Sequence, residues 1–182
     1  LEKTVDDHQI AHVVGRDTAK FFGINGEAFL SCPTSFNYGC QHGFFEYALV
    51  NTKPAKKAIE SICGSLGSEY SPKFRFYCYH GVGHGVMDAV SYDLNSALDV
   101  CDTLDSTVSR EGCWQGVFME NVNAGMKGEA KNNIFSENDP LAPCNQVQDQ
   151  YRHECYINHS GWLMKFFNND INKMNKAVAA CL

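Results

Sequence analysis

Three observations predict an all-α fold, an array of αα-hairpin repeats forming a solenoid or a tightly curved α/α superhelix and stapled by disulfides. Cysteines recur in register along the chain. Paired ligand-type side chains recur with them at the i, i+4 spacing that shares one helical face. Glycine and proline clusters separate the periodic segments. The organising stretch is Phe76 to Met87, which sets Cys78, His80 and His84 among glycines. Its relatives are Cys40-Gln41-His42-Gly43 with Glu46, and Cys113-Trp114-Gln115-Gly116 with Met119-Glu120.

The elements follow in order. Asp6 to Phe22 reads as a helix closed by Gly23 and Gly26, and Glu27 to Ser31 as a short one ending near Cys32-Pro33. Tyr38 to Val50 has Phe44, Phe45, Ala48 and Leu49 for packing. Pro54 opens a helix over Ala55 to Cys63 from a favoured first-turn position. Gly64, Gly67, Ser68 and Pro72 make the loop before the central helix. Asn95 or Ser96 caps a helix through Cys101 and Leu104, and Trp114 to Val122 follows. Asn123 to Asn138 is the least regular region and reads as a long loop. Pro140 to Gln148 and Tyr151 to Asn168 form a fourth pair, and Ile171 to Cys181 is the last helix. Asn158-His159-Ser160 is formally a glycosylation acceptor, but its place in a helix argues against use.

Nine cysteines in 182 residues is high usage, and no Cys-x-x-Cys pair is present, so zinc-ribbon and thioredoxin-type readings lack their basic element. The spacing predicts four staples instead: Cys32 with Cys40, Cys63 with Cys78, Cys101 with Cys113, and Cys144 with Cys155. Each would join the end of one helix to the start of the next, which implies an oxidising compartment. Reduced core cysteines are the competing reading, but they have no reason to recur in register. The second cysteines lie 38, 35 and 42 residues apart, within the range of two-helix repeats. Cys181 then reads as the opening cysteine of a fifth unit, or else as a lone thiol available for self-association. The segment His8 to Gly15 aligns with Cys78 to His84 if Asp6 takes the cysteine's place, so the chain is expected to start and end in mid-repeat as one domain over 1–182.

The composition, 44% apolar and 20% charged, is that of a globular domain. A formal charge of -6 with no basic cluster excludes a nucleic-acid or anionic-membrane footprint, and no run is apolar enough to insert in a bilayer. The stapled scheme resembles the Sel1-like, disulfide-stapled helical repeats of secreted bacterial proteins, through Ala97-Leu98-Asp99-Val100-Cys101 followed by Glu111-Gly112-Cys113. The resemblance covers the cysteine framework and implies a binding scaffold; Tyr79-His80-Gly81 and Met119-Glu120-Asn121 depart from the Sel1 pattern.

Those departures hold the chemistry. His8 with His12, His42 with Glu46, and His80 with His84 are paired at i, i+4, and stacked repeats would place equivalent positions side by side. Gly43, Gly81 and Gly116, just after the ligand position, would let neighbouring backbones approach. The expected ligands are therefore His8, His12, His42, Glu46, His80 and His84, around one ion or two. With thiols consumed in disulfides, imidazole and carboxylate suit zinc, copper or iron, and the sequence does not choose among them. Glu46 or Glu120 is the candidate general base if zinc activates a water, and oxygen chemistry is the other outcome. Haem between two histidines is open, although no Cys-x-x-Cys-His supports covalent attachment. Tyr38, Tyr77, Phe44, Phe45, Trp114 and Phe118 form core or pocket wall, Met87 and Met119 read as core, and His153 and His159, out of register, as surface or capping residues.

The function expected is an extracytoplasmic, secreted or periplasmic metal-binding protein, as a metal-dependent oxidoreductase or hydrolase. The alternative is a binding or assembly module in which the histidine and glutamate ladder only fixes helix register.

Overall fold

The computed structural model describes residues 7–127, 135 and 139–179. Among them the chain forms nine helices and no strand: α1 (Asp7–Phe22), α2 (Gly26–Leu30), α3 (Gly39–Asn51), α4 (Ala55–Ile62), α5 (Pro72–Ala89), α6 (Leu94–Asp102), α7 (Thr107–Lys127), α8 (Asp149–Phe166) and α9 (Ile171–Ala179). No helix of the described residues is long and apolar enough to cross a membrane. The long helices pack in chain order, α1 on α3, α3 on α5, α5 on α7 and α7 on α8. The short helices α2, α4 and α6 run alongside and contribute Phe29, Ile59, Ile62 and Leu98 to a core completed by Phe44 and Phe118.

All four staples form, with Cα separations of 5.4–5.8 Å. Two positions differ from the expected helix starts. Cys78 and Cys113 lie inside α5 and α7, because these helices begin well before the cysteine, while Cys155 lies in α8 as the expected Tyr151 to Asn168 helix has it. Ser71 caps α5 by accepting from the Phe74 amide, and Pro72 takes the first turn where its missing N–H is not needed. Pro72 therefore opens a helix rather than closing a loop. In α7 the helix continues through Asn123 to Lys127, where a loop is expected; the rest of that stretch lies outside the described residues, except Phe135. Asp6 and Cys181 also lie outside them.

The segment 140–146 is a series of turns, not the helix expected there. Pro140 and Pro143 explain it, since each lacks an amide and drives the residue before it out of the α region. Cys144 still reaches Cys155 from these turns.

Glycine sets the distance between long helices. A Cβ at Gly43 would lie 1.9 Å from the His12 carbonyl oxygen, and one at Gly15 equally close to that of Cys40. The α5–α7 seam repeats the arrangement, with Gly116 against His80 O at 2.0 Å and Gly83 against Cys113 O at 2.2 Å. Here backbone meets backbone with no room for a side chain. Gly43 and Gly116 thus do what their position predicts. Gly81 meets first the Phe45 ring at 3.1 Å, with the Gln41 carbonyl farther off at 3.6 Å, and the close approach of α5 to α3 falls to Gly85, 2.5 Å from Phe45 O.

Candidate metal centre

These close seams bring five histidines from three helices into one cluster. His8 and His12 lie one turn apart on α1, His42 is on α3, and His80 and His84 lie one turn apart on α5. His12, His42, His80 and His84 are buried and His8 is partly so. Two groups have ligand atoms mutually within 4.8 Å: His8 with His12 and His42, and His42 with His80 and His84. His42 belongs to both. Its ring stacks on His84 at 4.3 Å between centroids and lies 5.4–5.5 Å from those of His8, His12 and His80.

The outer histidines are oriented from behind. His12 Nδ1 donates to Glu46 Oε1 at 2.6 Å, and His84 Nδ1 donates to Glu120 Oε2 at 2.8 Å. A carboxylate can only accept, so the proton sits on Nδ1 and Nε2 carries a lone pair. His8 Nδ1 is likewise 2.6 Å from the Phe36 carbonyl. The bare Nε2 of His12 then meets His8 Nε2 at 3.0 Å, and that of His84 meets His80 Nε2 at 3.2 Å. For His8 and His12, with both Nδ1 atoms donating to oxygens, two lone pairs face each other unless one ring takes an extra proton. A shared metal ion would resolve this. Two nitrogens each about 2.0–2.1 Å from one ion stand about 2.9–3.4 Å apart, between right-angled and tetrahedral coordination.

Electrostatics keep the inner rings neutral. Burial first, then repulsion from His84, His80, His12 and His8, holds His42 well below the ordinary histidine range. Burial and His84 lower His80 to about 3, against an interaction with the Gln115 side chain that pulls the other way. Burial alone would raise the Glu46 carboxyl, but hydrogen bonds and charge from His12 and Arg16 outweigh it and hold it below its usual value. The carboxylates behind His12 and His84 form the kind of outer sphere commonly found at metal sites.

Two clefts flank the cluster. One, of about 220 Å³, is lined by His12, Arg16, Glu46, Asp88, Tyr92 and Glu120. Burial, followed by the charges of Glu46 and Glu120, raises the Asp88 carboxyl. The other, of about 450 Å³, is lined by His42, His80, Tyr38, Tyr77, Gln115 and Met119. Tyr38 and Tyr77 stack there at 4.4 Å. His8 borders both clefts. The aromatic wall depends on a left-handed run at Phe36, Asn37 and Tyr38, with φ of 54°, 50° and 62°. Such a run is costly for residues with side chains. It turns the chain so that Phe36 offers its carbonyl to His8 while Tyr38 starts α3 beside the cleft.

Of the residues singled out from sequence, all five histidines meet and both glutamates stand behind them. Glu46 is placed behind His12 and Arg16, with Oε2 accepting from the latter, so it is not paired with His42 in a ligand group. Glu120 accepts from His84 and, at 3.4 Å, from Tyr92. Phe44, Phe45, Trp114, Phe118 and Met87 are core, whereas Met119 is partly exposed at the cleft. Among the described residues the α7–α8 seam carries no such cluster; Gln115 donates to Glu154 there. His153 is exposed as expected. His159 is not: it is fully buried and bonded to Pro140 O, because α8 turns that face onto the 140–146 turns. Arg16 and Asp88 were missed, although each lies four residues after a cluster histidine and so continues the same helical face. No protein family matches this chain, and no curated protein or solved structure is detectably similar to it.

Proposed function

We propose that this protein is an extracytoplasmic transition-metal protein whose centre is built from His8, His12, His42, His80 and His84, with Glu46 and Glu120 orienting the outer ligands. The single observation that carries this is the paired Nε2 atoms of His8 and His12, 3.0 Å apart with both Nδ1 atoms committed to acceptors; the Nε2 atoms of His80 and His84 approach similarly, at 3.2 Å, with the His84 Nδ1 held by Glu120. Imidazole donors without thiolate suit zinc, copper or iron. Three nitrogens per ion leave a coordination position open, which is the pattern of catalytic sites, and the aromatic cleft beside His42 and His80 gives a substrate access to it. An ion there would lower the pKa of a bound water or exchange electrons with a bound oxidant, giving a hydrolase or an oxidoreductase. Glu46 and Glu120, each already accepting from a histidine, best serve to position their imidazoles.

Four disulfides support an oxidising compartment, periplasmic or extracellular. Long helices packed in chain order, stapled at recurring cysteines, support the hairpin-repeat reading. Metal analysis by mass spectrometry on protein prepared without a histidine tag tests the proposal. A stoichiometric transition metal, lost in the His8→Ala/His12→Ala and His80→Ala/His84→Ala variants together, is the expected result. No metal after reconstitution with zinc, copper and iron would leave the histidines a structural ladder.

A second reading rests on α1, whose outer face exposes Ile10, Val13, Val14, Phe21 and Phe22, the last at 73%. An apolar face of this kind favours an assembly module covered by another copy. Concentration-dependent sedimentation that vanishes in Phe21→Ser/Phe22→Ser would support it.

A further inference from the structure

We propose that His42 is a bridging imidazolate holding two metal ions, one on each ring nitrogen, so that the two histidine groups form one coupled centre. This rests on the metal-centre reading above and extends it from a set of ligands to a defined two-ion unit.

The argument begins with the ring itself. His42 is 3% exposed, and both its Nδ1 and its Nε2 are buried without a hydrogen-bond partner. A buried polar atom left unpaired loses its solvation with nothing to replace it, and buried polar side-chain atoms nearly always find a partner. A single unpaired nitrogen would be explained by one ion. Two on the same ring need two partners, and four other imidazoles surround the ring. His8 and His12 flank it from α1, and His80 and His84 follow it along α5.

The two groups of possible ligands share His42 and nothing else. An imidazole nitrogen has one lone pair in the ring plane, so a ring that serves two ions must use both nitrogens. The second ion takes the place of the remaining ring proton, which leaves to solvent. Each ion then has three nitrogens: two outer imidazoles and one side of His42. The symmetry extends behind the ligands, where Glu46 backs one pair and Glu120 the other. With Asp88 in the same polar cleft, these carboxylates and the imidazolate offset most of the charge of two divalent ions. Two metal–nitrogen bonds of about 2.0–2.1 Å on opposite sides of a five-membered ring put the ions about 6 Å apart, close enough for spin coupling through the ring.

Copper(II) is the probe that reads the bridge. The full chain with its disulfides intact is titrated with copper(II) and followed by electron paramagnetic resonance. Two coppers per chain are expected, with an integrated signal that falls as the second equivalent binds instead of doubling. In His42→Gly the two outer pairs should still take copper, more weakly, and the signal should double with loading. Free imidazole added to that variant should restore the loss of signal. Circular dichroism of the variant checks its fold, and the wild-type titration stands without it. Two coppers with a fully additive signal would overturn the bridge while leaving the metal centre intact. One copper per chain, whatever the spectrum, would do the same and point to His42 serving a single ion. No copper bound would overturn the bridge together with the centre it rests on.

Discussion

Replacing Gly43 by alanine adds one methyl group at the tightest point of the α1–α3 seam. The new Cβ would lie 1.9 Å from the His12 carbonyl oxygen, where the neighbour is backbone and no side chain can swing away. Even a close C–H···O contact needs about 3.3 Å, so α1 must withdraw by about 1.4 Å. Overpacking of this kind costs about 1–3 kcal/mol. The shift also pulls His12 from Glu46, a bond of 2.6 Å worth about 1.5–3 kcal/mol. Against this, removing a helical glycine returns about 1 kcal/mol. The net loss is about 1.5–5 kcal/mol, which for a chain of this size lowers Tm by roughly 3–20 °C. Gly161→Ala is the control. On α8 its new methyl would meet only Met126 at 3.8 Å and Val122 at 3.9 Å, so propensity alone acts, and a gain of up to about 1 kcal/mol is expected. Thermal unfolding of both variants, with metal content measured alongside, tests the reasoning. Gly43→Ala should also lose the ion shared by His8 and His12 while the His80 and His84 side keeps its own. A Gly43→Ala protein as stable as Gly161→Ala, or with unchanged metal content, would refute the claim that glycine sets the seam and the seam builds the site.

The carboxylates behind the ligands act on one side each. Glu120→Gln should weaken metal binding at the His80 and His84 side by about 10–100-fold, and Glu46→Gln the other side, as read by competition with a chromophoric chelator. Equal losses on both sides would contradict the pairing. Acid should destabilise the metal-free protein. The folded-state values of His42 and His80 are depressed, so the unfolded chain binds more protons below the ordinary value of 6.5. Stability should be unaffected above that value and fall by about 1.4 kcal/mol per pH unit for each ring below it, ending near 3 for His80. Denaturant midpoints that stay flat from pH 7 to 5 would oppose this. Removing the Cys63–Cys78 staple by double alanine substitution should cost about 3 kcal/mol, and removing Cys32–Cys40, which closes a shorter loop, about 2.5 kcal/mol. The comparison is made by denaturation under non-reducing conditions.

Sequence by itself determined the helices, the four cysteine pairs and the identity of the five histidines. All of these are local or periodic facts. His80 and His84 share a helical face because four residues make about one turn, and a cysteine recurring in register needs a partner in register. Boundaries were less legible where two signals competed. Pro72 carries both loop and helix-start meanings, and only the Ser71 cap on the Phe74 amide decides between them. Pro140 and Pro143 outweighed the helical periodicity expected around Cys144.

Only the tertiary structure decided how the ligands divide. From spacing, His42 and Glu46 form a pair on one helix. In space, Glu46 turns to His12 on α1, and His42 is left with both nitrogens buried between two other pairs. Side chains four residues apart on a helix share a face, but which neighbour each one meets depends on how closely the next helix approaches. Gly15 and Gly43 set that distance on one seam and Gly85 on the next, through contacts between backbones far apart in the chain. The same holds for His159, whose out-of-register position suggested the surface, until packing against the turns at Pro140 buried it.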